Sequence, residues 1–205
     1  KMSQKFDLTV LGGGPGGYVA AIRASQLGLK TALIEKEHLG GICLNWGCIP
    51  TKALLRSSEV LDLINNSSDF GIKVEGVSFD LQNMIDRSRN IAARLSSGVS
   101  MLLKKNKVTL IEGHGKILGA NTIDVKTKSN DNVEINSTHI ILATGARAKT
   151  FPNLKPDDNN IWTYKEAMIP KVLPKSILIV GSGAIGVEFC SFYKTLGVDV
   201  TLVEA

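Results

Sequence analysis

Two cysteines five positions apart, Cys43 and Cys48, stand in the run Gly40-Gly41-Ile42-Cys43-Leu44-Asn45-Trp46-Gly47-Cys48-Ile49-Pro50-Thr51-Lys52. Thiols this close in sequence can store two electrons by opening and closing one S–S bond. On a regular helix five residues advance about 7.5 Å, whereas a disulfide spans a Cα separation of roughly 4.4–6.8 Å, and the side chains would also point apart. A Cys43–Cys48 bond therefore needs a distorted backbone, which Gly47 can supply. Pro50 suits the first turn of a helix continuing through Ala53 and Leu54. Cys48 then lies at a helix N-terminus, where the dipole favours a thiolate, and Lys52 adds to the field. A loop this small gains little chain entropy from cross-linking, so a purely structural bond is a poor explanation. Two buried thiols or half of a metal site are the alternatives. His38, His114 and His139 offer no ligand spacing, so no metal is expected and redox chemistry is the favoured reading. Cys190, among apolar neighbours in a helical stretch, reads as an inert core thiol.

A second chemistry is written twice. Phe6–Leu11 is a strand pattern followed by Gly12-Gly13-Gly14-Pro15-Gly16-Gly17, a helical stretch stopping near Gly28, and a strand closing on Glu35. Ser176–Val180 is followed by Gly181-Ser182-Gly183-Ala184-Ile185-Gly186, a helical stretch stopping near Gly197, and a strand closing on Glu204. The first glycine precedes the helix-stopping glycine by 16 positions and the acid by 23 in both copies. One glycine-rich turn alone is weak evidence, but strand, turn, helix and acid in this order form the dinucleotide-binding fingerprint. Gly12 and Gly181 permit the tight turn, Gly14 and Gly183 let a pyrophosphate approach, and Gly17 and Gly186 let helix and strand pack closely. Each helix N-terminus then faces an anion. Glu35 and Glu204 are expected to bind a ribose 2′-hydroxyl, which at the second site favours NAD over NADP.

The elements around these motifs imply an α/β fold. Between the repeats lie a helical stretch with Leu81, Met84, Ile85, Ile91, Leu95, Val99, Leu102 and Leu103 at apolar spacing, and strand patterns at Val108–Glu112 and Thr122–Val125. Four prolines between 152 and 174 and the polar run 157–160 mark a break. It divides residues 1–147 from 148–205.

Composition excludes other classes. The 205 residues are 43% hydrophobic with a net charge of +5, enough apolar content for a buried core. Lys104, Lys105 and Lys107 form the one dense basic cluster and read as a solvated helix end, so nucleic acid is not expected. No apolar run is long enough for a membrane span. Three cysteines cannot build a secreted disulfide scaffold. A strand pattern begins almost at the first residue, leaving no targeting peptide. A bacterial cytoplasm is the expected compartment, although a processed mitochondrial matrix protein would read the same. Lys1 before Met2 is set aside as a vector-derived remnant.

With G-G-x-C-x-N-x-G-C-I-P-T-K, two fingerprints in this order, and Thr138-His139-Ile140-Ile141-Leu142-Ala143-Thr144-Gly145, the chain resembles the flavoprotein pyridine nucleotide-disulfide oxidoreductases over its whole length. The resemblance implies a Rossmann-like FAD-binding domain (1–147), with a parallel sheet plus β-meander, followed by the start of a Rossmann-like NAD-binding domain (148–205). It implies FAD at Gly12, Gly14, Pro15, Gly16, Gly17, Glu35 and Lys36, with Lys52 beside the flavin ring. Thr144, Gly145 and Ala146 are implied flavin contacts, and Gly113-His114-Gly115 a turn beside the adenine, with Gly115 a contact. NAD is implied at Gly181, Gly183, Ile185, Gly186, Glu188 and Glu204. Cys43 becomes the interchange thiol and Cys48 the flavin-side thiol. Ile49-Pro50-Thr51-Lys52 is closest to the branch of the family that oxidises dihydrolipoamide. That branch implies a dihydrolipoyl group on an acyltransferase subunit as partner and a homodimer of the full-length protein. Mercuric or glutathione-like reductases using NADPH, and an inactive flavin-binding fragment, are the alternatives. Trp162-Thr163-Tyr164-Lys165-Glu166 departs from the serine-rich family pattern. Members are roughly twice as long, and their remaining part carries a His-Glu acid-base pair that no histidine here matches.

Overall fold

The computed structural model describes residues 3–157 and 159–204; Lys1, Met2, Asp158 and Ala205 lie outside the described residues. These fall into two compact units, 1–45 with 93–147 and 46–92 with 148–205.

In the first unit, β1 (Ser3–Leu11) leads through α1 (Pro15–Gln26) to β2 (Thr31–Glu35), and the two strands pair in parallel. β3 (Thr109–Gly119) joins the far side of β2 and β5 (Asn132–Leu142) joins the free side of β1, both in parallel. β4 (Thr122–Thr127) then bridges β3 and β5 in antiparallel fashion, closing the five strands into a barrel. The parallel order β3-β2-β1-β5 and the meander β3-β4-β5 are thus one sheet. β3 serves both by its length, pairing with β2 over residues 109–112 and with β4 from 113 onward. Phe6, Ala32, Ile34, Ile111, Ile123, Val125 and Ile135 form one apolar core. Leu8, Val10, Ala21, Ala24 and Leu33 form another with Val99 and Leu103. The last two belong to α4 (Leu81–Lys105), whose apolar spacing was read from sequence. Lys104 and Lys105 occupy its last turn.

In the second unit, β6 (Ser176–Val180), α6 (Ala184–Thr195) and β7 (Asp199–Val203) repeat the β1-α1-β2 plan, with β6 and β7 parallel. α3 (Cys48–Asn65) shares a core with α6, in which Leu54 and Leu61 meet Phe189, Phe192, Tyr193 and Met168. Residues 46–92 compact with 148–205 for this reason. Burial pushes the Tyr193 phenol well above its ordinary range, and the neutral hydroxyl donates to the Ala167 carbonyl at 2.6 Å. Ala167 belongs to α5 (Tyr164–Met168), a short helix started by a capping box: Thr163 Oγ1 accepts from Lys165 N, and Glu166 receives the Thr163 N–H.

Candidate nucleotide and disulfide sites

The strand order fixes where a ligand can enter the first unit. β1 connects to β2 on one side, while β5 lies on its other side, so the order reverses beside β1. Ligands of such sheets bind outside the carboxyl ends of the strands at that reversal. There stand the Gly12–Gly17 turn after β1 and the Thr144–Ala146 segment after β5.

The backbone at that point requires glycine. Gly12 has φ +108°, and a Cβ there would run into the Ala143 carbonyl. A Cβ on Gly17 would land on the Gly12 carbonyl oxygen. Gly14 caps α1 in an extended conformation without any side-chain cap, and the surroundings of Gly16 are open. Pro15 has no N–H, and Gly17 and Tyr18 N both donate to the Gly14 carbonyl at 2.9 Å, so the N–H of Gly16 and the positive end of the α1 dipole are what the turn offers an anion. Glu35 is held in place, with Oε2 accepting from Gly13 N at 2.6 Å and Oε1 from Glu37 N at 2.6 Å. Lys36 beside it is half exposed and ion-paired with Glu37 at 3.2 Å.

The second turn reproduces the first. Gly181 has φ +110°, and a Cβ on Gly186 would land on the Gly181 carbonyl oxygen. Gly183 caps α6 in an extended conformation, again without a side-chain cap. Glu204 accepts from Ser182 N, as Glu35 accepts from Gly13 N. Ile185 is exposed on the first turn of α6. Sequence spacing named the acids as ribose ligands; their hydrogen bonds to the second residue of each turn were not read from it.

Gly40 and Gly41 join the first turn to the cysteine segment. Gly40 N donates to the Gly13 carbonyl at 2.8 Å, and a Cβ on Gly41 would approach Gly14 Cα to 2.8 Å. From Gly41 starts α2 (Gly41–Trp46), which carries Cys43. Asn45 Nδ2 holds that helix start by donating to the carbonyls of Leu39 and Gly41 at 2.8 and 2.9 Å. Gly47 leaves helical backbone (φ −143°, ψ −123°), so α2 and α3 are separate helices and Cys48 is the first residue of α3. Cys48 is exposed, and Cys43 and Cys190 are half-buried.

Lys52, one turn into α3, forms an ion pair with Glu188 of α6. Sequence reading assigned these residues to different nucleotides, and the second unit brings them together. The side chains are 62% and 25% exposed, so the pair contributes about 0–1 kcal/mol to stability. Its significance lies in where it puts charge. The Gly113-His114-Gly115 segment corrects an expectation: it is no turn but the middle of β3, where pairing passes from β2 to β4. The glycines are needed there because a Cβ on Gly113 would meet the Lys126 carbonyl, and one on Gly115 would meet Leu11 Cδ1, each at 2.5 Å. Among the described residues, no group of three or more His, Cys, Asp or Glu could hold a metal ion. No helix of the described residues is long and apolar enough to cross a membrane.

Comparison with known proteins agrees with this arrangement. The family model described as pyridine nucleotide-disulphide oxidoreductase matches residues 6–205. The dihydrolipoyl dehydrogenase of Zymomonas mobilis is 54% identical over 99% of this chain, and that of Rhizobium etli 53% identical over 99%. The chain spans 44% and 45% of those two proteins, less than half of their length. Among solved structures, LpdA from Mycobacterium tuberculosis superposes with a TM-score of 0.89 at 26% identity, covering 100% of this chain and 45% of that one. The flavoprotein disulfide reductase RclA from Escherichia coli gives 0.83 at 26% identity, covering 98% and 43%. The chain belongs to the pyridine nucleotide-disulphide oxidoreductase family.

Proposed function

We propose that this chain carries the FAD and redox-disulfide machinery of a dihydrolipoyl dehydrogenase. Residues 1–147 supply the FAD site and the cysteines, and 148–205 begin the NAD site. The observation that carries the reading is the pair of matched glycine turns, each latched by its own glutamate, with Cys48 at the head of α3.

The residues fit a dinucleotide at the first turn. Gly12, Gly14, Pro15, Gly16 and Gly17 present uncapped backbone, Glu35 and Lys36 close the ribose side, Gly115 lines β3, and Thr144, Gly145 and Ala146 follow β5. Lys52 lies on α3 for the flavin ring. FAD, when bound there, supplies two-electron acceptance between a dithiol and NAD. The cysteines do the sulfur chemistry. A thiolate of the dihydrolipoyl group attacks Cys43 of the Cys43–Cys48 disulfide, and Cys48 leaves as thiolate. The second substrate thiol then displaces Cys43, so lipoamide leaves with the new S–S bond and the protein keeps two thiols. The α3 dipole favours the charged leaving group at Cys48. NAD is held by Gly181, Gly183, Ile185, Gly186, Glu188 and Glu204. The partner is the dihydrolipoyl group on an acyltransferase subunit of a 2-oxoacid dehydrogenase complex, the assembly a homodimer and the compartment a bacterial cytoplasm.

Steady-state assays of the full-length protein test this directly. Dihydrolipoamide with NAD should turn over, while NADPH with glutathione disulfide or Hg(II) should not; the reverse pattern would assign a reductase. NAD should be used far better than NADP, because Glu204 repels a 2′-phosphate. Glu204→Gln should narrow that ratio by about tenfold, about 1.4 kcal/mol. Equal kcat/KM for both nucleotides in the parent would remove Glu204 as a ribose ligand. For the ion pair, Lys52→Met should slow flavin reduction by about tenfold while stability changes by about 1 kcal/mol or less. Stopped-flow absorbance and thermal unfolding separate the two effects, and an unaltered reduction rate would leave the pair without a role in the reaction.

A further inference from the structure

We infer that Trp46 is a positioning residue for Cys48, its indole held by the Arg89 guanidinium and the Lys165 ammonium. The inference rests on the redox reading of Cys48 above for its importance, though not for its geometry.

Position 46 is left open in the cysteine motif, and the segment 162–166 departs from the family pattern. The structure joins these two peculiarities of the chain. Arg89 Cζ lies 4.2 Å from the centroid of the Trp46 ring and Lys165 Nζ lies 5.5 Å from it. A cation within about 6 Å of an indole centroid is attracted by the ring quadrupole, more strongly where water is excluded. Arg89 is partly withdrawn from water, and burial holds its guanidinium below the ordinary arginine range. Its Nη1 also reaches the fully buried Met168 Sδ at 3.5 Å. Lys165 is no loose surface lysine either, because its backbone N–H lies inside the Thr163–Glu166 capping box. Glu166 Oε2 accepts from Thr163 N at 2.7 Å and from Thr163 Oγ1 at 2.5 Å. The Trp46 ring also packs on the apolar core that contains Leu54 and Met168.

What this hold does follows from the start of α3. Its cap is Gly47, which offers no side-chain cap hydrogen bond, and Cys48 is the first helical residue and exposed. An uncapped first turn frays, and a frayed turn loses the field that favours a thiolate. Glycine is the most flexible joint available, so the nearest fixed point before Cys48 is the ring two residues upstream. Trp46 therefore substitutes for the missing cap, and its two cations hold the ring in place. If Trp46 were plain core packing, removing the cations while keeping apolar bulk would leave the reactivity of Cys48 unchanged.

The test uses full-length, flavin-loaded protein in a Cys43→Ser background, with alkylation of the Cys48 peptide by iodoacetamide followed by mass spectrometry across pH 5–9. Arg89→Met/Lys165→Met should slow alkylation at pH 7 by about threefold or more, with the thermal midpoint nearly unchanged. Trp46→Leu should act in the same direction. Trp46→Phe should restore most of the rate when both cations are present and little when they are absent. A double-methionine variant that alkylates at the parent rate at every pH would overturn the inference, and that variant carries the test if Trp46→Leu fails to fold. Thiolate-to-flavin absorbance of the parent reports separately on the redox reading. Its absence beside slowed alkylation in the double-methionine variant would remove that reading and leave the clamp standing.

Discussion

Alanine at Gly17 is expected to abolish flavin binding and to cost the protein about 1–3 kcal/mol or more of stability, whereas alanine at Gly186 is expected to spare the flavin and lose NAD. The added methyl group would occupy the position of the Gly12 carbonyl oxygen in the first case and of the Gly181 carbonyl oxygen in the second. Backbone cannot rotate away as the end of a side chain can, so the first turn of α1 would have to move off β1. That turn also receives Gly40 N and faces Gly41, so the displacement would reach the start of α2 and Cys43. Among the described residues no neighbour of this kind lies within 4 Å of a Cβ on Gly181 or Gly183, so the damage from Gly186→Ala should stay local. Visible flavin absorbance after desalting, thermal unfolding and NADH titration distinguish the two variants. We expect loss of the flavin bands in Gly17→Ala, and about a hundredfold weaker nucleotide binding, about 2.7 kcal/mol, in Gly186→Ala. Stoichiometric flavin and an unchanged midpoint in Gly17→Ala would show that the first turn is not the flavin cradle.

The asymmetry between these two glycines could not be read from sequence, although their equivalence could. Equal spacing identified Gly17 with Gly186 and Glu35 with Glu204, because a turn, a 12-residue helix and a short strand impose fixed offsets. The parallel sheet and the meander followed from the family resemblance, while the strand patterns at 108–112 and 122–125 were legible because β-period patterns and glycine punctuation are local signals. Long-range packing was not. Gly113-His114-Gly115 was expected to be a turn from the family resemblance, yet its glycines answer to crowding by Lys126 and Leu11 across the barrel. Residues 46–92 follow the first repeat in sequence but compact with the second, because α3 presents Leu54 and Leu61 to the aromatic face of α6. The Lys52–Glu188 pair and the cations on Trp46 join residues 136, 43 and 119 positions apart, and no spacing rule reaches that far.

Replacing either cysteine should reduce dithiol turnover to background, since neither single-cysteine protein can form the disulfide. The two replacements should nevertheless look different in the spectrometer. Cys43→Ser leaves Cys48 at the head of α3, where the helix dipole favours a thiolate, so a thiolate beside oxidised flavin should produce a long-wavelength charge-transfer band. Cys48→Ser removes the thiol from the head of α3, and the band should be absent. Acidification should bleach the Cys43→Ser band as the thiolate takes a proton. The visible spectrum of full-length, flavin-loaded Cys43→Ser and Cys48→Ser protein, recorded as pH is lowered from 9 to 5, is the most direct test that these thiols and a flavin form one redox centre. A band in Cys43→Ser alone, bleached as the pH falls, is the predicted result; a band in Cys48→Ser alone, or in neither protein, would contradict it.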